Sequence, residues 1–136
     1  MKVAKIQPDT LFKRAVGGHT LYSAVVTVKG GTLVFVSGLL ARDRAGTIIG
    51  KGDMGAQIAQ VGENLRLALD SAGARLEDLV RTTTYVTDIE AFFRHVEIRQ
   101  RYFGPALPTS TTVEVRRLAH PDFLVEVEAF AVIEDA

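Results

Sequence analysis

Apolar and β-branched residues fall into short runs punctuated by glycine. Leu21–Val28 (LYSAVVTV) is one such run. It stops at Gly30-Gly31, and Thr32–Ser37 (TLVFVS) resumes the same character. A Gly-Gly pair between two β-rich runs predicts a β-hairpin. Asp43-Arg44-Ala45-Gly46 reads as a further turn. The period then changes: Ile58, Val61, Leu65, Leu69 and Ala72 recur at three- and four-residue steps, which predicts a helix with one apolar stripe. Asp53 is its expected N-cap and Gly73 its stop. Leu79–Thr87 (LVRTTTYVT) reads as a strand. Thr87-Asp88-Ile89-Glu90 has the pattern of a capping box and opens a second helix running to about Phe103. Glu90 with Arg94, and Glu97 with Arg101, are spaced to pair along it, and Gly104-Pro105 ends it. Thr111–Arg117 and Phe123–Ile133 are the closing strands.

The order is therefore β-β-α-β-α-β-β. Helices of that length between strands imply crossovers and a mixed sheet with parallel pairs. Two helices cover one face of it. The other face is also apolar, and no segment is left to cover it, so a second subunit is expected there. The 136 residues make one domain, 1–136, with no repeat or linker.

Composition narrows the chemistry. Sixteen basic side chains balance sixteen acidic ones. This argues against a nucleic-acid partner and favours self-association. With no cysteine, disulfides, thiolate zinc sites and a cysteine nucleophile are excluded. Met1–Pro8 lacks the apolar segment of a secretory signal, and no apolar run approaches the roughly 18 residues of a bilayer span. A cytoplasmic protein without a membrane partner is the expectation.

Few motifs point to chemistry. Gly50-Lys51-Gly52-Asp53-Met54-Gly55 is literally G-x-G-x-x-G. However, Asp53 would aim a negative charge at a pyrophosphate, and the chain is too short for two mononucleotide-binding halves. Turn glycines and an N-cap are the better reading. His19, His95 and His120 lack metal-ligand spacing. The arginines of the second helix, paired with its glutamates, read as a solvated face. The last strand is more informative. At period two, Phe123, Val125, Val127, Ala129, Ala131 and Ile133 share one face, and Leu124, Glu126, Glu128, Phe130 and Val132 the other. Two carboxylates thus sit among apolar residues. One of them is either a general acid/base whose pKa burial would raise, or a partner of Arg116 or Arg117. Pro108–Thr112 offers hydroxyls and backbone N–H groups that suit a carboxylate, or simply starts a strand.

Several segments together resemble one family. They are Tyr22-Ser23, Val36-Ser37-Gly38, the helix positions Asp53, Gln57 and Asn64, Val80–Asp88, Pro108–Leu118 and Val125–Ala129. In order and spacing they are similar to the RidA/YjgF enamine/imine deaminases from about Ala15 onward. The resemblance implies an α+β, chorismate-mutase-like fold and a homotrimer with ligand clefts between subunits. It also implies hydrolysis of reactive enamines or imines to a 2-oxo acid and ammonia without cofactor or metal. It places Glu126 as the catalytic residue, and Tyr22, Ser37, Gly38, Ser110, Thr111 and Thr112 around the substrate. The sequence departs from the family where a carboxylate-clamping arginine is expected: that position is Ser110, a weaker neutral donor. This deaminase-like reading stands beside a non-catalytic trimer that binds a small metabolite. Arg116 from a neighbouring subunit is one candidate replacement cation. RNA cleavage, also ascribed to some members, fits the neutral charge least.

Overall fold

The computed structural model describes residues 1–136. In chain order the elements are β1 (Lys2–Ile6), β2 (Ala15–Val16), β3 (His19–Thr20), β4 (Val25–Lys29) and β5 (Thr32–Leu40), then α1 (Met54–Ser71) and β6 (Leu79–Val86). They are followed by α2 (Ile89–Arg94), α3 (Val96–Phe103), β7 (Thr109–Glu114) and β8 (Val125–Ile133). The main sheet is mixed and four-stranded, in the order β5-β8-β6-β7. β8 runs antiparallel to β5 and β6, while β6 and β7 are parallel, joined by the crossover through α2 and α3.

Alternation along β8 sets the layers. Val125, Val127, Ala129 and Ala131 are buried beside Ile58, Val61, Leu65 and Leu69 of α1, with Phe92 and Phe103 from the crossover. Glu126, Glu128 and Phe130 lie on the opposite face, which no element of this chain covers. Asp53 caps α1 by accepting from the Ala56 N–H at 3.0 Å, and Gly73 stops the helix at φ +76°. Ala72, expected in the apolar stripe, is the exposed C-cap, and Ala74 is buried beyond it.

The N-terminal expectation is corrected. Leu21–Ser23 is not strand. Ser23 instead is tied to the approach to β7, its N–H to the Pro108 carbonyl (3.1 Å) and its hydroxyl to the Leu107 carbonyl (2.6 Å). Gly30 and Gly31 do form a left-handed turn, at φ +78° and +86°. Their flanking strands do not pair, however. β1, absent from the sequence reading, takes β4 as its antiparallel partner, with Lys2 opposite Lys29 and Ile6 opposite Val25. This ribbon is anchored by the Lys5 ammonium on the Ala106 carbonyl, and Val132 is buried where β1 passes.

The second helix is also corrected. It breaks at His95 (φ −105°, ψ 32°) into α2 and α3. Asp88, not Thr87, caps it, accepting from the Ala91 N–H at 3.0 Å. Thr87 is held in the sheet by its own N–H to the Leu124 carbonyl (3.1 Å). Neither expected Glu–Arg pair forms; Glu97 meets His19 at 2.9 Å instead. The closing strands are shorter than expected, at Thr109–Glu114 and Val125–Ile133.

One buried polar side chain ties α1 to the start of β8. Gln57 is fully buried and donates to the carbonyls of Gly50 (3.1 Å) and Asp122 (2.8 Å). It also accepts from the Leu124 N–H (2.8 Å). Gln57→Leu keeps the volume but orphans these backbone groups. Urea unfolding is expected to show a loss of at least about 1–3 kcal/mol, the cost of one unsatisfied buried group; a neutral result would mean water replaces the side chain.

Candidate functional site

On the uncovered face, Glu126 and Glu128 of β8 stand opposite Tyr85 and Thr83 of β6. The Tyr85 hydroxyl donates to Glu128 Oε1 at 2.8 Å. That hydrogen bond to a carboxylate, with desolvation and the charges of Glu128 and Glu126, holds the Tyr85 phenol above its ordinary pKa. Arg81 donates to the Thr111 hydroxyl at 2.7 Å. Phe35 and Phe130 form a cross-strand aromatic pair with centroids 5.0 Å apart. Phe35 is 70 % exposed and Leu33 60 %.

Glu126 is half-buried, and its carboxylate lies where a Cβ at position 38 would have to be. The glycine of Ser37-Gly38 lets the carboxylate lie directly over the β5 backbone; a side chain there would displace it. The strand register shifts between Val36 and Leu39, which lets β5 bend around this contact. Beside Gly38 a groove of about 510 Å³ runs past Leu40, Arg42 and Asn64. Asn64 pins its wall by donating to the carbonyls of Leu40 (3.0 Å) and Arg42 (2.9 Å). Arg116 and Arg117 are exposed past the end of β7, and neither pairs with Glu126 or Glu128, contrary to that alternative.

Tyr22, Ser110 and Thr112 belong to a second group. Ser110 and Thr112 pair with Thr82 and Thr84, which are buried toward the helices, and Ser110 Oγ lies 3.4 Å from Thr82 Oγ1. With Tyr22 they line a small cavity of about 70 Å³ that also contains Phe93, Arg14 and Arg99. Arg99 is 3 % exposed. Burial first, and the charge of Arg14 second, push its pKa down to about 10. The guanidinium therefore stays charged at neutral pH. Its presence in the interior corrects the expectation that the arginines of this crossover are all solvated.

The expected site residues thus form two clusters on opposite faces of one sheet. Ser37, Gly38 and Glu126 make one; Tyr22, Ser110 and Thr112 make the other. Thr111, between Ser110 and Thr112, points its hydroxyl to Arg81 on the Glu126 face. The groove beside Gly38 and the cavity beside Ser110 share no lining residue.

Other motifs resolve as structure. Gly50 and Gly52 have φ of +76° and +73°, and Gly55 packs against His95, as turn and packing glycines. His120 accepts from the Asp122 N–H at 3.0 Å. Asp88, Glu90 and Glu114 offer carboxylates within 4.8 Å of one another, but all three are exposed. Asp88 and Glu114 are engaged by the first turn of α2.

Tyr85, Arg14 and Arg99 were not singled out from sequence. Arg99 had a readable signal: Val96, Arg99 and Phe103 are one helical face, and all three are buried. Arg14 had none, because its place depends on the fold of the N-terminal segment.

The raised Tyr85 pKa gives a pH-dependence. Its hydrogen bond contributes fully below the unfolded value near 10 and is lost as pH rises through the higher folded value. Tyr85→Phe should remove one late-ionising phenol from an ultraviolet titration. It should also shallow the loss of stability above pH ~10; loss of a phenol that ionises in the ordinary tyrosine range would contradict the Glu128 contact.

Comparison with known proteins follows the same lines. The family described as Endoribonuclease L-PSP matches residues 12–133. A RutC family protein of Pyrococcus abyssi is 39 % identical over 104 residues, 76 % of this chain and 81 % of that one. A protein of Acinetobacter baylyi named 3-aminoacrylate deaminase RutC is 29 % identical over 79 % of this chain and 84 % of its own. The crystal structure of YyfB from Yersinia pestis, a Rid family protein of unknown function, superposes with a TM-score of 0.84. It is 29 % identical, covering 98 % of this chain and all of that one. The match spans both clusters and every strand of the main sheet, and the α+β, chorismate-mutase-like fold is shared: this chain belongs to the Endoribonuclease L-PSP family, that of the RidA/YjgF proteins.

Proposed function

We propose that the protein is a cofactor-independent hydrolase, a deaminase of an enamine, imine or related unsaturated nitrogen compound, working in clefts between the subunits of a homotrimer. The observation that carries this reading is the Glu126 carboxylate. It is half-buried on an otherwise uncovered sheet face and lies directly over the Gly38 backbone, where a larger residue would displace it. The relative named 3-aminoacrylate deaminase supports the reaction class.

In this reading a second copy brings its Ser110 and Thr112 cluster against the Glu126 cluster. Tyr22, Ser37 and Gly38 wall the cleft, and the Ser110–Thr112 segment holds a carboxylate or oxyanion. Water adds to the C=N carbon, giving its proton to Glu126. The carboxyl group then returns that proton to nitrogen, and the carbinolamine collapses to a carbonyl and ammonia. An enamine substrate first takes a proton on carbon to become the imine. A binding trimer without turnover is the second reading, favoured by neutral Ser110 at the clamp position. A ligand that raises the melting temperature and is recovered unchanged would select it. An RNA substrate has less support, since the charges balance.

With imines formed in situ by an amino-acid oxidase, Glu126→Gln should slow ammonia release about 10²–10⁴-fold. Equal rates for wild type, variant and buffer would overturn the hydrolytic reading for those substrates. Light scattering should give three times the chain mass for the wild type. Phe35→Glu, which places a charge on the open face, should yield monomers; a monomeric wild type would remove the intersubunit cleft.

A further inference from the structure

The segment between β1 and β2 holds two adjacent apolar side chains out in water. Phe12 is 82 % exposed and Leu11 54 %. They do not sit on a loose thread. The Leu11 N–H donates to the Pro8 carbonyl at 3.1 Å, and the Gln7 side-chain amide donates to the Leu11 carbonyl at 3.4 Å. Before this turn Lys5 is bound to the Ala106 carbonyl, and after it Arg14 lies 4.6 Å over the Phe93 ring. A turn fastened on both sides that presents neighbouring apolar groups to water is a surface shaped for a partner. Its complement is on the same chain, beside Gly38. The groove of about 510 Å³ there has Leu39 and Leu40 along it and Leu67 of α1, 57 % exposed and off the buried stripe, as a wall. Its rim is charged, with Asp43 between Arg42 and Arg44. None of the molecule's ion pairs involves Asp9 or Lys13 of the turn, or Arg42, Asp43 or Arg44 of the rim. Asp43 accepts from its own loop through Oδ1 alone, so Oδ2 is open. Turn and groove therefore match in kind: an acid, an apolar pair and a base face two bases, an apolar wall and an acid.

We infer that the Asp9–Lys13 turn of one copy seats in the Gly38 groove of the next. Leu11 and Phe12 pack on Leu39, Leu40 and Leu67, Asp9 meets Arg42 and Arg44, and Lys13 meets Asp43. The chain cannot do this for itself. Its turn is tied beside β7, through Ala106 and the cavity that Arg14 shares with Ser110, whereas the groove adjoins β5. These are the outer strands of the β5-β8-β6-β7 sheet, three strand spacings or about 14 Å apart. Because turn and groove are different patches, the contact is heterologous, and successive copies close into a ring instead of pairing two by two. This rests on the reading of the cleft as lying between subunits. There the Ser110 cluster of one copy meets the Gly38 and Glu126 cluster of another; the turn adjoins the first and the groove adjoins the second. Once seated, Phe12 closes the groove side of Gly38, so the neighbouring copy supplies the residue that limits substrate length at that end.

The chain contains no tryptophan and no cysteine, so introduced probes report alone. Phe12→Trp, at an exposed position, should emit to the blue and resist acrylamide quenching in the assembled protein. Adding Phe35→Glu, which separates the subunits, should shift that emission to the red of a solvated indole. Adding Leu67→Glu instead should give the same red shift by removing the groove wall, with circular dichroism checking the fold. Separately, Thr10→Cys combined with Leu67→Cys should, on oxidation, give covalent dimers and trimers on a non-reducing gel, while each single variant stays at the chain mass. An indole equally solvated in assembled and separated chains would overturn the inference. So would blue emission that persists in separated chains, emission unmoved by Leu67→Glu, or a disulfide formed only within one chain. The outcomes separate from those of the hydrolase reading. A shielded indole with no ammonia release from any imine removes the hydrolase alone. A trimer that releases ammonia but leaves Trp at position 12 solvated removes the seated turn alone. A monomeric wild type removes both the turn contact and the intersubunit cleft.

Discussion

The alternation of side chains along β8 is the constraint on which the rest of the molecule depends. β8 is hydrogen-bonded on both sides, to β5 and to β6, so its two faces cannot be exchanged without losing both ladders. One face, Val125, Val127, Ala129 and Ala131, is dry and receives α1. The same register obliges Glu126 and Glu128 to stand on the other face, beside Tyr85 and over Gly38. The core and the carboxylates are therefore two consequences of a single register.

The supporting contacts protect that register where β8 begins. Gln57 holds the Leu124 N–H and the Asp122 carbonyl, fixing where the strand enters the sheet. Asn64, two turns further along α1, holds the neighbouring end of β5 through the Leu40 and Arg42 carbonyls. Both strands of the β5–β8 pair are thus fastened to one helix at the same end, where Leu40 lies opposite Glu126. Around this rigid centre the chemistry divides: carboxylates on the open face, guanidinium groups and hydroxyls on the helix side near β7. In the proposed reading, a site that uses both draws them from two copies.

Much of this was legible in the chain. The Ile58, Val61, Leu65 and Leu69 stripe, the Asp53 cap, the Gly73 stop and the β8 alternation are local patterns, and local backbone physics enforces them. The Gly30-Gly31 turn was also legible, but not the partner of β4. Strand pairing is a competition among distant segments, and β1 won it through contacts such as Lys5 with Ala106 that no local pattern encodes. The break at His95 escaped for a related reason. Asp88 caps the helix because Thr87 is still bound to Leu124, a residue far along the chain.

The sequence by itself determined the secondary elements of the main sheet, the face on which each β8 residue lies, and the family to which these patterns are similar. These depend on periodicity and capping, which act over a few residues. Only the tertiary structure decided that Glu126 and Ser110 lie on opposite faces, that Gly38 is a seat for a carboxylate, and that Arg99 is buried without a counter-ion beside Arg14. Those facts depend on which distant segments meet across a sheet, and the free energy of such meetings is spread over the whole packed core.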